Sequence, residues 1–303
     1  MSPRTSSKSA PSAPPRPVED RPLLAIGFVL AALMVFSGMD AISKLLVQEY
    51  HPILITWGRY AVNLVLLLPF VLRAGVAPVG GTDLAMQVGR GIAMVGSAVL
   101  FVSGLSSLQL ADAIAISFVS PLLVTALSIP FLGERVGIRR WAAVVTGFAG
   151  ILIIIQPGSS AFDFASLFPL GSSTCWAVGL VLTRRIGSHA PPMTTLLYTT
   201  AVAFLALSLF LPWVWQPFDL RALVLVATMG VLSMAGQYFL LMGYMRGPAS
   251  LLAPFSYAQI ISSTFWGVVL FQVWPEPSTW IGAAVVVASG LYVFHRERVT
   301  RKK

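Results

Sequence analysis

The sequence predicts an all-α integral membrane protein, in which ten transmembrane helices form two inverted five-helix repeats around a central cavity. Three observations lead to this prediction: ten apolar stretches, an uneven distribution of basic residues, and an internal repeat. The composition agrees, because 56% of the 303 residues are hydrophobic and only 10% are charged. Soluble domains average about 25% charged residues.

Each apolar stretch has about the 17–25 residues that a helix needs to cross a hydrocarbon core of ~30 Å. The ten stretches are 23–47, 53–72, 84–108, 111–132, 139–155, 164–183, 192–214, 222–245, 249–273 and 278–294. Residues 1–21, rich in Ser, Pro, Arg and Lys, precede an apolar run too long for a signal peptide. We therefore expect a disordered cytoplasmic tail there.

The basic residues indicate the orientation of the chain in the membrane. If the chain zigzags, all but three of the 20 Lys and Arg residues fall on one side. The exceptions are Arg221, in a connection on the opposite side, and Lys44 and Arg59, inside spans. By the positive-inside rule this predicts that both termini are cytoplasmic.

The net charge of +9 is explained by this topology, so we expect no nucleic-acid partner. The single cysteine, Cys175, excludes an intramolecular disulfide, and no Cys/His spacing is typical of a metal site. We expect neither a metal nor a cofactor. The expected partners are the lipid bilayer and a small-molecule substrate, with the chain a monomer and a homodimer as the alternative.

The two halves of the chain resemble each other at a shift near 140 residues. The matched positions are His51-Pro52 with Pro191-Pro192, Ala111 with Ala249, and Gly150-Ile151-Leu152 with Gly290-Leu291-Tyr292. Five spans per half is an odd number, so the second half starts on the opposite side of the membrane and the repeats are inverted. We expect repeats at 22–157 and 158–295, followed by a basic cytoplasmic tail at 296–303.

Inverted repeats are a recurring design of secondary transporters, with the substrate site near the midplane between the halves. A lipid-processing membrane enzyme or a non-transporting membrane sensor is the alternative. An enzyme needs a catalytic cluster, and His51, His189 and His295 are far apart in connections and tails. No Walker A loop is present either. We therefore expect a transporter and not an enzyme.

Several motifs carry a resemblance to a known family. They are Pro121, Phe131-Leu132-Gly133-Glu134-Arg135, the Gly147–Gly150 helix, Ala253-Pro254-Phe255-Ser256-Tyr257 and Trp280-Ile281-Gly282-Ala283-Ala284. On these the chain resembles the EamA-type ten-span exporters of the drug/metabolite transporter superfamily. The resemblance implies a cavity lined by the third, fourth, eighth and ninth spans. It also implies export of small metabolites, with YddG-like export of aromatic and neutral amino acids favoured over other drug-like or nucleotide-derived metabolites.

We place three ionisable residues deep within the membrane-spanning helices: Asp40, Lys44 and Arg59. Each such group costs about 2.5–3.5 kcal/mol at a helix centre on insertion scales, so it should be paired or functional. Asp40 and Lys44 are four residues apart and share a face, which permits a local ion pair. The other interpretation is that one of the three contacts substrate charge or carries a coupling proton, for which Asp40 is the candidate.

Polar and aromatic residues of the four cavity spans form a second set of candidates. The predicted substrate-binding residues are Ser97, Phe101, Ser117, Ser120, Gln237, Tyr244, Tyr257 and Gln259, with helix kinks at Pro121 and Pro254. Gln237 and Tyr244 are two turns apart on one face, and we expect both to contact the substrate. The alternative role for such Ser and Gln residues is hydrogen bonding between helices.

Overall fold

A computed structural model describes residues 22–74, 81–132, 138–156, 163–186, 192–246 and 252–301. Within these ranges the regular structure is entirely helical. Two predicted features lie outside the described residues: the cytoplasmic tail at 1–21 and the turn around Glu134. The all-α fold predicted from the apolar stretches is confirmed.

The first repeat contains six α-helices. They are α1 (Pro22–Leu46), α2 (Pro52–Ala74), α3 (Gly81–Gly104), α4 (Leu110–Ser117), α5 (Ser120–Leu132) and α6 (Ile138–Ile155). The predicted fourth span is thus divided between α4 and α5. We name the two ends of the bundle after the predicted topology: α1 ends and α2 begins at the outer end.

In the described residues, the second repeat opens with a short 3₁₀ turn, Phe164–Ser166, and contains six further α-helices. They are α7 (Leu167–Ile186), α8 (Pro192–Ser208), α9 (Leu211–Val214), α10 (Leu220–Arg246), α11 (Ala258–Phe271) and α12 (Pro277–Arg301), with a 3₁₀ segment Ala253–Tyr257 before α11. The last helix continues beyond residue 294, where the apolar stretch ends, because a helix does not stop where its residues become polar.

Proline explains two of the helix interruptions, because it has no N–H to donate to the carbonyl four residues earlier. Pro212 lies in the first turn of α9 and stands four residues after Ser208, where α8 ends. Pro121 stands four residues after Ser117, where α4 ends. The kink predicted at Pro121 is therefore a complete break between two short helices.

Lengths and composition fit a membrane. In the described part of the chain, five helices are long and apolar enough to cross a bilayer, and five shorter apolar helices accompany them. Large apolar side chains cover the outside of the bundle, as at Val65 and Leu72 of α2, which are 68% and 75% exposed. Such surfaces are stable where lipid replaces water.

Helix contacts close a ring. In order, α2 packs on α10, α10 on α1, α1 on α11, α11 on α4, α4 and α5 on α7, α7 on α3, α3 on α8, and α8 on α2. The pair α6 and α12 packs together at one side, against α4 and α5. The ring has an inside, and polar residues on its inner faces are shielded from lipid.

The contacts obey the symmetry of an inverted repeat. α1 on α10 is matched by α7 on α3, and α2 on α10 is matched by α8 on α3. Three further contacts each join equivalent helices of the two repeats, so the symmetry maps each contact onto itself. They are α2 with α8, α4 with α11 and α6 with α12. Each half therefore completes the packing of the other, and the two repeats form one structure.

The two closing helices, α6 and α12, meet through glycines, as their spacing predicts. A Cβ atom added at Gly150 would lie 2.9 Å from the Gly282 carbonyl oxygen and 2.9 Å from Cγ2 of Val286. A Cβ at Gly282 would lie 2.5 Å from the Gly150 carbonyl oxygen. The absence of side chains at both positions is what allows these backbones to touch.

We predict that Gly150→Ala destabilises the protein by about 1–3 kcal/mol, the usual cost of overpacking a filled interface. The matched control is Gly27→Ala in α1, where an added Cβ meets nothing within 4 Å. There alanine gains helix propensity of roughly 1 kcal/mol. Thermal unfolding in detergent checks both variants. Equal midpoints for the two would contradict the close packing of α6 on α12.

Candidate functional site

The break between α4 and α5 exposes a backbone group that another helix satisfies. Pro121 cannot donate to the carbonyl of Ser117. The hydroxyl of Ser173, in α7, donates to that carbonyl at 3.3 Å. The hydroxyl of Ser117 itself donates to the Ala113 carbonyl at 2.8 Å. Non-helical backbone at membrane depth is thus held by a partner helix inside protein, as the absence of water in lipid requires.

The interruption in the second repeat lies against that of the first. The ring of Phe118, in the α4–α5 break, lies 5.1 Å from the ring of Tyr257, in the 3₁₀ segment before α11. Ser120 and Gln259, predicted to bind substrate, are half-buried beside these two breaks. Discontinuous helices at a repeat interface are where transporters build their substrate sites.

A polar stripe runs along the inner face of α1. Ser37, Asp40 and Lys44 follow a spacing of three and then four residues, which places them on one face. Ser37 is completely buried, and its hydroxyl has no hydrogen-bond partner in the described part of the chain. Asp40 is 8% exposed, and no hydrogen bond joins its carboxylate to any described residue.

A matching stripe lies on α2, at the same three-and-four spacing: Thr56, Arg59 and Asn63. Among described residues, Thr56 Oγ1, Arg59 Nε and Asn63 Oδ1 are buried and have no hydrogen-bond partner. The Asn63 amide donates to Ser233 of α10 at 3.3 Å. Buried polar groups without partners are few in native proteins and call for an explanation, such as water or a ligand.

The two stripes face each other. Asp40 interacts electrostatically with Arg59, although their charged atoms do not form an ion pair within 4.0 Å. Arg59 also lies 3.7 Å from the Met39 sulfur and over the ring of Tyr60, at 5.1 Å from the ring centre. The outer half of the ring thus holds one buried carboxylate and one partly buried guanidinium, and unpaired polar atoms lie on the same two stripes.

Lys44 does not pair with Asp40, so the local ion pair that their spacing permits is absent. Its ammonium donates to the carbonyls of Leu105 and Leu108, at 3.2 Å and 2.6 Å, and lies over the Phe271 ring. The chain between α3 and α4 leaves these carbonyls free at a helix end, where a cation is favourable. Lys44 therefore joins α1 to the α3–α4 connection.

A small cleft opens at this outer end of the ring. Lys44, Gln109, Thr264 and Phe271 are among the residues that line it. Nearby, Thr279 of α12 donates to the carboxylate of Asp112 of α4. The cleft leads from outside to the Lys44 end of the α1 stripe.

Arg90 belongs to the site but was not among the predicted residues. It lies inside the predicted span 84–108, and a cation at such a position is the signal that could have identified it. Its Nε donates to Thr183 of α7 at 2.7 Å, and its Nη1 donates to the carbonyl of Thr195 and to the hydroxyl of Thr199, both on α8. Gln87 also donates to Thr195, at 3.0 Å.

The other predicted residues have different surroundings. Ser97 hydrogen-bonds to Ser172 of α7 at 3.0 Å, so it joins two helices rather than lining open space. Phe101 is half-buried against the main apolar core. Gln237 is exposed on α10. The side chains of Tyr244 and Pro254 lie outside the described residues.

Comparison with known proteins identifies the fold and its class. A model of the EamA-like transporter family matches twice, at residues 23–156 and 163–294. A riboflavin transporter from Vibrio cholerae is 27% identical over 284 residues, which cover 91% of this chain and 94% of the relative. An S-adenosylmethionine uptake transporter from Rickettsia conorii is 25% identical over 279 residues, covering 91% and 94%.

One solved crystal structure matches this protein with a TM-score of 0.57 at 23% sequence identity. The match covers 89% of this chain and 96% of that chain, and it supports the fold alone. The family match covers nearly all of both halves with the same model. This explains the shift of about 140 residues and excludes the enzyme alternative. The protein is a multi-pass membrane transporter that belongs to the EamA-like transporter family.

Proposed function

We propose that this transporter exports small metabolites across the bacterial inner membrane, with neutral and aromatic amino acids or their analogues as the substrate class. Transport proceeds by alternating access, in which the two inverted repeats exchange roles around a site in the ring. Both termini lie in the cytoplasm, and the protein acts as a monomer.

One observation carries the proposal: the polar stripes of α1 and α2 face each other inside the ring with unpaired atoms. Of the six buried side-chain atoms that have no hydrogen-bond partner in the described part of the chain, four lie on these stripes, at Ser37, Thr56, Arg59 and Asn63. Leaving a buried polar group unpaired costs about 1–3 kcal/mol. A protein whose only task was to remain folded would gain stability from apolar residues here, so the stripes serve a passing solute.

The charges favour an amino acid. Asp40 and Arg59 offer opposite charges on facing helices, which suits a zwitterion whose ammonium and carboxylate are close together. The rings of Phe118 and Tyr257 add an aromatic wall near the helix breaks, which suits an aromatic or apolar side chain.

The relatives favour a second substrate class. Two are named for riboflavin and S-adenosylmethionine, compounds with heteroaromatic rings. S-adenosylmethionine also carries an amino-acid group, which the facing charges of Asp40 and Arg59 would accept. A heteroaromatic metabolite is therefore the second candidate substrate. The name of the S-adenosylmethionine relative indicates uptake, whereas the name of the riboflavin relative gives no direction of transport.

We predict saturable counterflow of a neutral or aromatic amino acid by the purified protein in proteoliposomes. The screen uses radiolabelled amino acids, riboflavin, S-adenosylmethionine, polyamines and nucleotides, with and without a pH gradient, and empty liposomes as the control. Counterflow of riboflavin or S-adenosylmethionine with no amino acid would replace the proposed substrate class. Counterflow of none of these compounds would count against the whole proposal.

We predict that Asp40→Asn abolishes the response of transport to an imposed pH gradient, because Asp40 is the buried carboxylate facing the α2 stripe. The matched control is Asp83→Asn, in the first turn of α3, where the side chain is exposed. The same proteoliposomes measure both variants, with monodispersity on a sizing column as the folding check. An unchanged response to the gradient in folded Asp40→Asn would exclude Asp40 as the proton carrier.

A further inference from the structure

The interior of the ring carries an excess of positive charge. Asp40 offsets Arg59, with which it interacts electrostatically. Lys44 lies at the outer cleft, within electrostatic range of Asp112. Arg90 has no such partner: in the described part of the chain, its hydrogen bonds go only to neutral hydroxyl and carbonyl oxygens. An arginine at membrane depth is costly, and such residues pair with other charges or with backbone carbonyls and often mark a substrate pathway.

The hydrogen bonds of Arg90 leave one side of its guanidinium free. Nε donates to Thr183 and Nη1 donates to residues of α8. Nη2 has no hydrogen-bond partner among the described residues and is not one of the buried unpaired atoms, so it is not fully enclosed by protein. Thr183 and Thr199 thus fix the guanidinium plane while one of its donor nitrogens stays available.

Tyr60 places Arg59 beside the helix that carries Arg90. The Arg59 guanidinium lies over the Tyr60 ring, 5.1 Å from the ring centre. Tyr60 packs against the apolar cluster that contains Val95 of α3 and Ala203 of α8. Because Arg90 is also on α3, the two arginines lie on neighbouring helices.

Both arginines lie near the middle of the bundle. Arg59 follows Pro52 at the outer end of α2 by seven residues, and Arg90 follows Gly81 at the inner end of α3 by nine. At 1.5 Å per residue these positions are about 10 Å and about 14 Å from opposite ends of helices roughly 35 Å long. Their Cα atoms are thus separated by only about 11 Å along the membrane normal.

We propose that Arg90, together with Arg59 on the neighbouring helix α2, receives the carboxylate of the transported solute at the centre of the ring. The proposal rests on the function proposed above and narrows its substrate class to carboxylate-bearing monoanions and zwitterions. Arginine matches a planar carboxylate with parallel N–H donors. The net interior charge of one positive unit, from Arg59, Arg90 and Asp40, suits one carboxylate and not a diphosphate.

A structural role for Arg90 makes a different prediction. If Arg90 only ties α3 to α7 and α8, its loss lowers the stability of the protein without changing the response to any anion. Benzoate and benzamide separate the two roles, because they share a shape and differ in the charged carboxylate. Binding to the folded state raises the unfolding midpoint by mass action.

The experiment measures thermal unfolding of the full-length purified protein in detergent, with 10 mM benzoate or 10 mM benzamide at constant ionic strength. We expect benzoate to raise the midpoint of the wild type by about 2–4 °C more than benzamide does. The difference should vanish in Arg90→Gln and persist in Arg73→Gln, an exposed cation in the last turn of α2. Thr199→Val removes one hydrogen bond to Arg90 but leaves the charge of Arg90 in place. This variant should retain at least part of the difference between benzoate and benzamide.

Equal responses of the wild type to benzoate and benzamide would overturn the proposal, as would a benzoate response that survives in Arg90→Gln. If Arg90→Gln does not fold, Arg90→Lys takes its place. Lysine keeps the charge but loses the planar fork, so the benzoate response should fall by about half or more, and an undiminished response would overturn the proposal. Counterflow of riboflavin without any benzoate response would leave the transporter function standing while removing the carboxylate receptor.

Discussion

Lipid cannot hydrogen-bond to protein, and this constraint determines where every polar group of the chain can lie. Backbone groups are satisfied within helices, and polar side chains are confined to the inside of the ring or to contacts between helices. Helix α2 shows both sides of the constraint. Its outward residues, such as Val65, are apolar and exposed, whereas Thr56, Arg59 and Asn63 face inward. A ring of helices therefore also shields polar side chains from lipid.

The same constraint explains how the chain tolerates broken helices at membrane depth. Pro121 interrupts the fourth span and frees the Ser117 carbonyl, and Ser173 of the opposite repeat donates to it. The interruption is thus stabilised by the opposite repeat. Arg90 follows the same pattern on the inner side, because α3 belongs to the first repeat and Thr183 and Thr199 belong to the second. Polar contacts across the repeat interface are easier to exchange than a packed apolar interface.

Much of the fold follows from the sequence, because the membrane imposes it. Apolar length gives the spans, and prolines give the breaks, although the complete division at Ser117 needed the structure. The glycine contact of Gly150 with Gly282 follows from small residues in both closing helices.

Side-chain partners were harder to predict, because they depend on which helices become neighbours. Spacing suggested that Lys44 pairs with Asp40, but the end of α3 lies closer and offers two carbonyls. Ser97 was expected in the cavity, yet α7 packs on that face and Ser172 takes its hydroxyl. Arg90 was missed because a cation near the start of a span resembles a loop residue until α7 and α8 surround it.

The central claim is that a hydrophilic solute passes through the inside of the ring, along the facing stripes of α1 and α2. Cysteine accessibility tests it most directly. In a Cys175→Ser background, Ser37→Cys and Thr56→Cys place single thiols on the two stripes, and Val65→Cys places one on the outside of α2. A charged thiol reagent reacts only with a thiolate that water reaches. In proteoliposomes we expect both stripe positions to react at least about tenfold faster than Val65→Cys, and the transported solute to slow them. Stripe positions as unreactive as Val65→Cys would contradict a pathway through the ring.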